Sequence, residues 1–154
     1  MFKDRFIVMK IVFLCSANTS RSPMAEGIFK KMVRDVDVSS AGFLLESGEN
    51  ADEYAILVCR KHGIDLKDFK TTNVCDVDFG NADLILTATK SNRDKIRKLY
   101  PKVNAYTIKE YSGSYDDLDI KDPSSESLGD YVVCYFEIKE ALEKILEIHK
   151  EWRD

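Results

Sequence analysis

The chain has 154 residues, 32% of them charged and 44% hydrophobic, with a net charge of −4. That length suits a single domain burying about two-thirds of its unfolded surface, and the acidic balance excludes a general nucleic-acid binder, which needs a basic face. Residues 1–8 carry Lys3, Asp4 and Arg5 and lack the apolar run of a signal peptide or membrane helix. A cytoplasmic protein with reduced thiols and no membrane partner is therefore expected, with residues 1–8 an extension and 9–154 one domain.

In chain order, the apolar run Ile11-Val12-Phe13-Leu14 predicts a buried strand over 10–14, followed by a short loop and an amphipathic helix over 22–33. A strand over 36–40 comes next, then a helix over 51–62 that Gly63 is placed to stop. Strands over 84–88 and 103–107 flank a helix over 91–99, and an irregular polar region spans 109–127. From Leu128 onward, Val132, Tyr135, Phe136, Ile138, Leu142, Ile145, Leu146 and Trp152 recur at helical spacing and read as core packing. Alternation of strand and helix predicts an α/β fold, a three-layer α/β/α arrangement around a four-stranded parallel sheet.

The first loop carries the chemistry. Cys15-Ser16-Ala17-Asn18-Thr19-Ser20-Arg21, followed by Ser22-Pro23, places a thiol and a guanidinium at opposite ends of a run of small residues between a strand end and a helix N-terminus. Backbone N–H groups turned inward there, with the positive end of the helix dipole, suit a tetrahedral oxyanion, and the same donors stabilise a thiolate. Arg21 presents a planar fork to two equatorial phosphoryl oxygens, and Pro23 suits the first helical turn. A cysteine after a buried strand is more often a small core residue; the combination with Arg21 and Ser22-Pro23 favours a nucleophile. Expulsion of a leaving group also calls for an acid. The irregular region offers Asp116, Asp117, Asp119 and Asp122, and spacing alone leaves the choice among them open. Four cysteines without a C-x-x-C pair and only two histidines make a zinc site unexpected, and no cofactor is called for.

These residues resemble the low-molecular-weight protein tyrosine phosphatase family, whose loop reads Cys-x-Gly-Asn-x-Cys-Arg-Ser-Pro. Cys15, Asn18, Arg21, Ser22 and Pro23 match five of its seven fixed positions, and the likeness runs from Met9 onward through Met24-Ala25-Glu26, Ser40-Ala41-Gly42 and Asp122-Pro123. The resemblance implies a flavodoxin-like phosphatase fold. It further implies Cys15 as nucleophile, Arg21 as phosphate clamp, Asp122 as general acid, a phosphate-binding loop of Ser16, Ala17, Asn18, Thr19, Ser20 and Arg21, a phosphorylated protein or peptide substrate and inorganic phosphate as product. Pro123 would hold Asp122 extended. Ser22 is implied as a donor to the thiolate, although a serine there also suits an N-cap, and Ser40 as a brace for Asn18, a residue type that tolerates left-handed backbone.

Three departures from the family pattern bear on function. Ala17 replaces a glycine, so either its backbone avoids positive φ or the loop holds strain on the order of 1 kcal/mol. Ser20 replaces the second cysteine, which removes the usual disulfide partner of the nucleophile. Ser124 and Ser125 follow Asp122-Pro123 where tyrosine-directed members carry aromatics, and Thr19 is typical of the phosphoarginine branch, yet that branch also has an aromatic after the Asp-Pro that Ser124 does not match; both positions bear on selectivity, and phenol and guanidine leaving groups both stay open. Phe43, Leu44, Tyr111 and Tyr115 are candidates for a hydrophobic wall. Arsenate reductases share the fold but pass oxidation among close cysteines, and Cys59 and Cys75 lie sixteen residues apart; a silent phosphate-binding module is the remaining alternative.

Overall fold

The structure, a computed structural model, describes residues 8–44, 47–124 and 127–154. Residues 1–7, nearly all of the expected extension, and Ser125 lie outside the described residues. The elements run β1 (Met9–Cys15), α1 (Arg21–Met32), β2 (Val36–Gly42), α2 (Glu53–Lys61), β3 (Leu84–Thr87), α3 (Lys90–Leu99), β4 (Ala105–Thr107), α4 (Ile108–Tyr111) and α5 (Leu128–Ile148). The four strands form one sheet in the order β2-β1-β3-β4, with every neighbouring pair parallel.

Period-two alternation divides the sheet's side chains between two cores. Ile11, Phe13, Val38, Leu84 and Leu86 face α1, α2 and α5, whereas Val12, Leu14, Ala41, Ile85 and Ala105 face α3 and the turns around Val74 and Phe79. This is the expected three-layer α/β/α arrangement. On the first side Phe13 meets Phe29 edge-on at 5.6 Å, and Phe29 meets Trp152 edge-on at 6.5 Å.

The sheet winds outward in both directions from β1, because the chain passes first to β2 on one side and then to β3 on the other. Ligand crevices in open parallel sheets open at such a reversal, beyond the carboxyl ends of the strands. The segment after Cys15 stands there.

Three local expectations are corrected. The polar region after β4 begins with a helical turn, α4, closed by a capping box in which the Thr107 side chain accepts from Glu110 N and Glu110 accepts from Thr107 N. Helix α5 stops at Ile148, and Trp152 reaches the core from a separate short turn, Lys150–Trp152, with its ring stacked 4.1 Å from that of His149. Val132 and Phe136, read as core, are exposed, because the buried stripe of α5 runs through Tyr131, Cys134, Tyr135, Ile138 and Leu142 instead. Among the described residues no helix is long and apolar enough to cross a membrane.

Candidate active site

The loop from Ser16 to Ser20 is curled tightly because its carbonyls are drawn outward. Ser16 O accepts from Phe43 N at 2.8 Å and Leu44 N at 3.0 Å, and Thr19 O accepts from Asp52 N at 2.8 Å. Gly42 allows this curl: a Cβ there would lie 2.8 Å from Asn18 N and 2.9 Å from Ser16 O. The left-handed residue is Asn18, at φ 59°, whereas Ala17 has no positive φ, so the missing family glycine leaves no strain at that position. Among the described residues, the N–H groups of Ser16, Ala17, Thr19 and Ser20 have no backbone acceptor. Helix α1 adds uncapped amides, since Ser20 makes no side-chain cap and no acidic residue stands in the first turn.

Within this ring Cys15 is buried, with Ser22 Oγ 3.0 Å from its sulfur and Asn18 N donating to it at 3.3 Å. Neighbouring groups fix which way the Ser22 proton points. Glu26 can only accept as a carboxylate, so Ser40 Oγ donates to it at 2.6 Å. Ser40 must then accept from Asn18 Nδ2 at 3.0 Å, an amide orientation also set by Thr72 N donating to Asn18 Oδ1 at 2.8 Å. The same Nδ2 donates to Ser22 Oγ at 2.7 Å, which leaves the Ser22 hydrogen for the sulfur. Ser22 lies inside α1 and is not its cap.

Arg21 is 5% exposed and divides its donors. Nη1 donates to Ile120 O at 2.9 Å, Nη2 lies 3.7 Å from Asp122 Oδ2, and the buried Nε has no partner among the described residues. A buried donor left unpaired costs about 1–3 kcal/mol, and a tetrahedral oxyanion in the loop would satisfy it.

Asp122 is 49% exposed and its Oδ1 accepts from Ser124 N at 3.0 Å. The segment before it is pinned by backbone: Asp119 accepts from Lys90 N at 2.7 Å, and the fully buried Ile120 donates to Ala88 O at 2.9 Å. Of the four acidic candidates, Asp122 alone is paired with Arg21; Asp119 serves α3, Asp117 lies 3.8 Å from Lys109, and Asp116 is exposed.

Other candidates separate clearly. Leu44, 59% exposed, sits where its N–H meets the loop, whereas Tyr111 stacks on His149 and packs at a tilt against Tyr106. Phe43 lies under the Lys95 ammonium at 4.8 Å, and Tyr115 is 97% exposed. Burial pushes the Cys59 and Cys134 thiols up to about 12, while Cys75 is exposed on a separate turn. Glu26, Thr72, Asn92 and Tyr131 received no role from the sequence. A signal for Glu26 was its place one turn after Ser22 on α1; Asn92, whose Nδ2 lies 3.4 Å from Ser16 Oγ, and Thr72 come from distant segments with no local signal.

A thiol in an amide ring, a buried guanidinium and a carboxylate come together at the reversal point of the parallel sheet, the arrangement of an oxyanion site. The family described as low molecular weight phosphotyrosine protein phosphatase matches residues 10–153, and the chain belongs to that family and is a phosphatase. It is 32% identical over 143 residues to the low molecular weight protein-tyrosine-phosphatase PtpB of Staphylococcus epidermidis, covering 92% of this chain and 100% of that one. Among solved structures, a low molecular weight protein tyrosine phosphatase from T. tengcongensis superposes with a TM-score of 0.83 at 34% identity, covering 90% of this chain and 98% of that one. The YwlE arginine phosphatase from Geobacillus stearothermophilus superposes with a TM-score of 0.86 at 26% identity, covering 93% and 94%.

Proposed function

We propose that the protein dephosphorylates phosphotyrosine or phosphoarginine in proteins or peptides, through a phosphocysteine on Cys15. The observation that carries this reading is the pairing of Arg21 with Asp122, from the end of the same loop whose Cys15 sulfur lies 3.0 Å from Ser22 Oγ. The Cys15 thiolate attacks phosphorus in line, the bond to the leaving oxygen or nitrogen breaks, and Asp122 delivers the proton to that atom. Water then attacks the phosphocysteine, the P–S bond breaks, Asp122 takes a proton from the water, and phosphate leaves with the thiolate restored. Arg21 and the amides of Ser16, Ala17, Thr19 and Ser20 hold the equatorial oxygens throughout, while the Asn18 N–H stays on the sulfur.

Cys15→Ser should abolish turnover while inorganic phosphate still binds, as read by calorimetry; a variant that retains turnover would overturn the scheme. Thr19 and the resemblance to a solved arginine phosphatase favour a guanidine leaving group, and Ser124 supplies no aromatic ring for a phenol to stack on. Turnover of phosphotyrosine and phosphoarginine peptides by the parent and Thr19→Ile tests this: the substitution should raise the relative rate on phosphotyrosine, and an unchanged ratio would assign selectivity to the walls around Leu44.

A further inference from the structure

The nucleophile loop and the acid loop meet at Arg21, and they meet a second time through hydroxyls alone. Ser20 Oγ lies 3.1 Å from Tyr131 Oη, on α5, and 3.3 Å from Ser124 Oγ, two residues beyond Asp122. Ser20 and Tyr131 are both buried, where an unpaired hydroxyl is costly. Asp52, an acceptor only, stands near this chain, and its charge adds to the burial that raises the Tyr131 phenol.

Asp52 is itself fixed: its N–H donates to Thr19 O at 2.8 Å, and its Oδ1 accepts from Tyr54 N at 2.9 Å as the cap of α2. Ser20 can donate to one of its two hydroxyl neighbours while accepting from the other, so a single chain joins Tyr131, Ser20 and Ser124. Burial pushes the Tyr131 phenol above its ordinary range, so it remains a donor at neutral pH. The Tyr131 ring is also held by Tyr54, edge-on at 5.5 Å.

We infer that Ser20, Ser124 and Tyr131 are positioning residues for the general acid: the hydroxyl chain from Tyr131 through Ser20 holds Ser124, and the Ser124 N–H holds Asp122 Oδ1, which keeps Oδ2 on the side of Arg21 to serve the leaving group. This inference rests on the phosphatase reading above. A residue that aims an acid matters in proportion to how much the leaving group needs a proton. A residue that only supports the fold affects all substrates alike.

The experiment measures kcat/KM of the parent, Tyr131→Phe, Ser124→Ala and Ser124→Thr on phenyl phosphate and p-nitrophenyl phosphate, whose leaving groups differ in their need for a proton. Tyr131→Phe and Ser124→Ala should lose about tenfold on phenyl phosphate and less than about twofold on p-nitrophenyl phosphate, and Ser124→Thr, which keeps the hydroxyl, should restore the phenyl phosphate rate. In an Asp122→Asn background Tyr131→Phe should have no further effect. Equal losses on both substrates, or losses that multiply with Asp122→Asn, would overturn the positioning role. A folded parent inactive on both substrates would overturn the phosphatase reading itself, and the inference with it.

Discussion

The segment from Ser16 to Ser20 is closed by hydrogen bonds from the strand-end region at Phe43 and Leu44, from Asp52 before α2 and from Thr72, whereas the segment carrying Asp122 is held at a few backbone points and leaves its carboxyl half exposed. The difference follows the demands of the two roles. A nucleophile and its anion cradle gain from being assembled in advance, because donors already in place need no reorganisation as charge develops. On the proposed mechanism the acid must meet leaving groups of varied shape, and its carboxyl, held by the Ser124 N–H and facing Arg21, stays half exposed.

This contrast predicts that the two regions fail differently. Asp122→Asn should lower kcat/KM on weakly acidic leaving groups by about 10²–10⁴-fold while thermal unfolding hardly moves, since an ion pair with one half-exposed partner contributes little stability; a large drop in Tm would show that the acid loop is as structural as the nucleophile loop. Gly42→Ala should instead damage stability and activity together. Its Cβ would press on the backbone of residues 16 to 18, and overpacking of that kind costs about 1–3 kcal/mol, measurable by denaturant unfolding beside steady-state rates. An active, undestabilised Gly42→Ala would mean that the cradle yields more easily than its bonds suggest.

The smallest effect concerns the base of the acid loop. Burial alone would raise the Glu110 carboxyl, but the Thr107 N–H and the Arg93 guanidinium outweigh it and hold the group below its ordinary range. A carboxyl depressed in the folded state adds stability above its unfolded value of about 4.3 and loses it as pH falls through the folded value. Glu110→Gln should therefore flatten the acid side of the stability curve, read by urea unfolding at pH 3 to 7, without changing the activity profile near neutrality.

The nucleophile loop was legible in sequence because its signals are local: an apolar run, small residues, an arginine and Ser-Pro within one turn. The acid loop was legible only through Asp122-Pro123. What holds it, Ile120 against Ala88 and Arg21, joins residues 32 and 99 positions apart, and no periodicity announces such contacts. Helix α4 was missed because four residues give no period, though its Thr107-x-x-Glu110 cap was present. The α5 stripe was drawn too wide, since Val132 and Phe136 fit the helical repeat yet fall outside the buried arc. Ser20 and Ser124 were each read alone, one as a lost cysteine and one as a lost aromatic, and their proximity emerges only in three dimensions.

The bond from Arg21 to the Ile120 carbonyl completes a loop of connections. Leu14 O accepts from Ala88 N, Ala88 O accepts from Ile120 N, Ile120 O accepts from Arg21, and the chain itself returns from Arg21 to Leu14 through Cys15. Cys15, Arg21 and the segment that leads to Asp122 thus belong to one self-closing frame, as in a jig whose tolerances are cut into its own body. On the proposed mechanism, an oxyanion that draws on Arg21 would therefore pull on the same frame that carries the strand end behind the sulfur and the segment before Asp122.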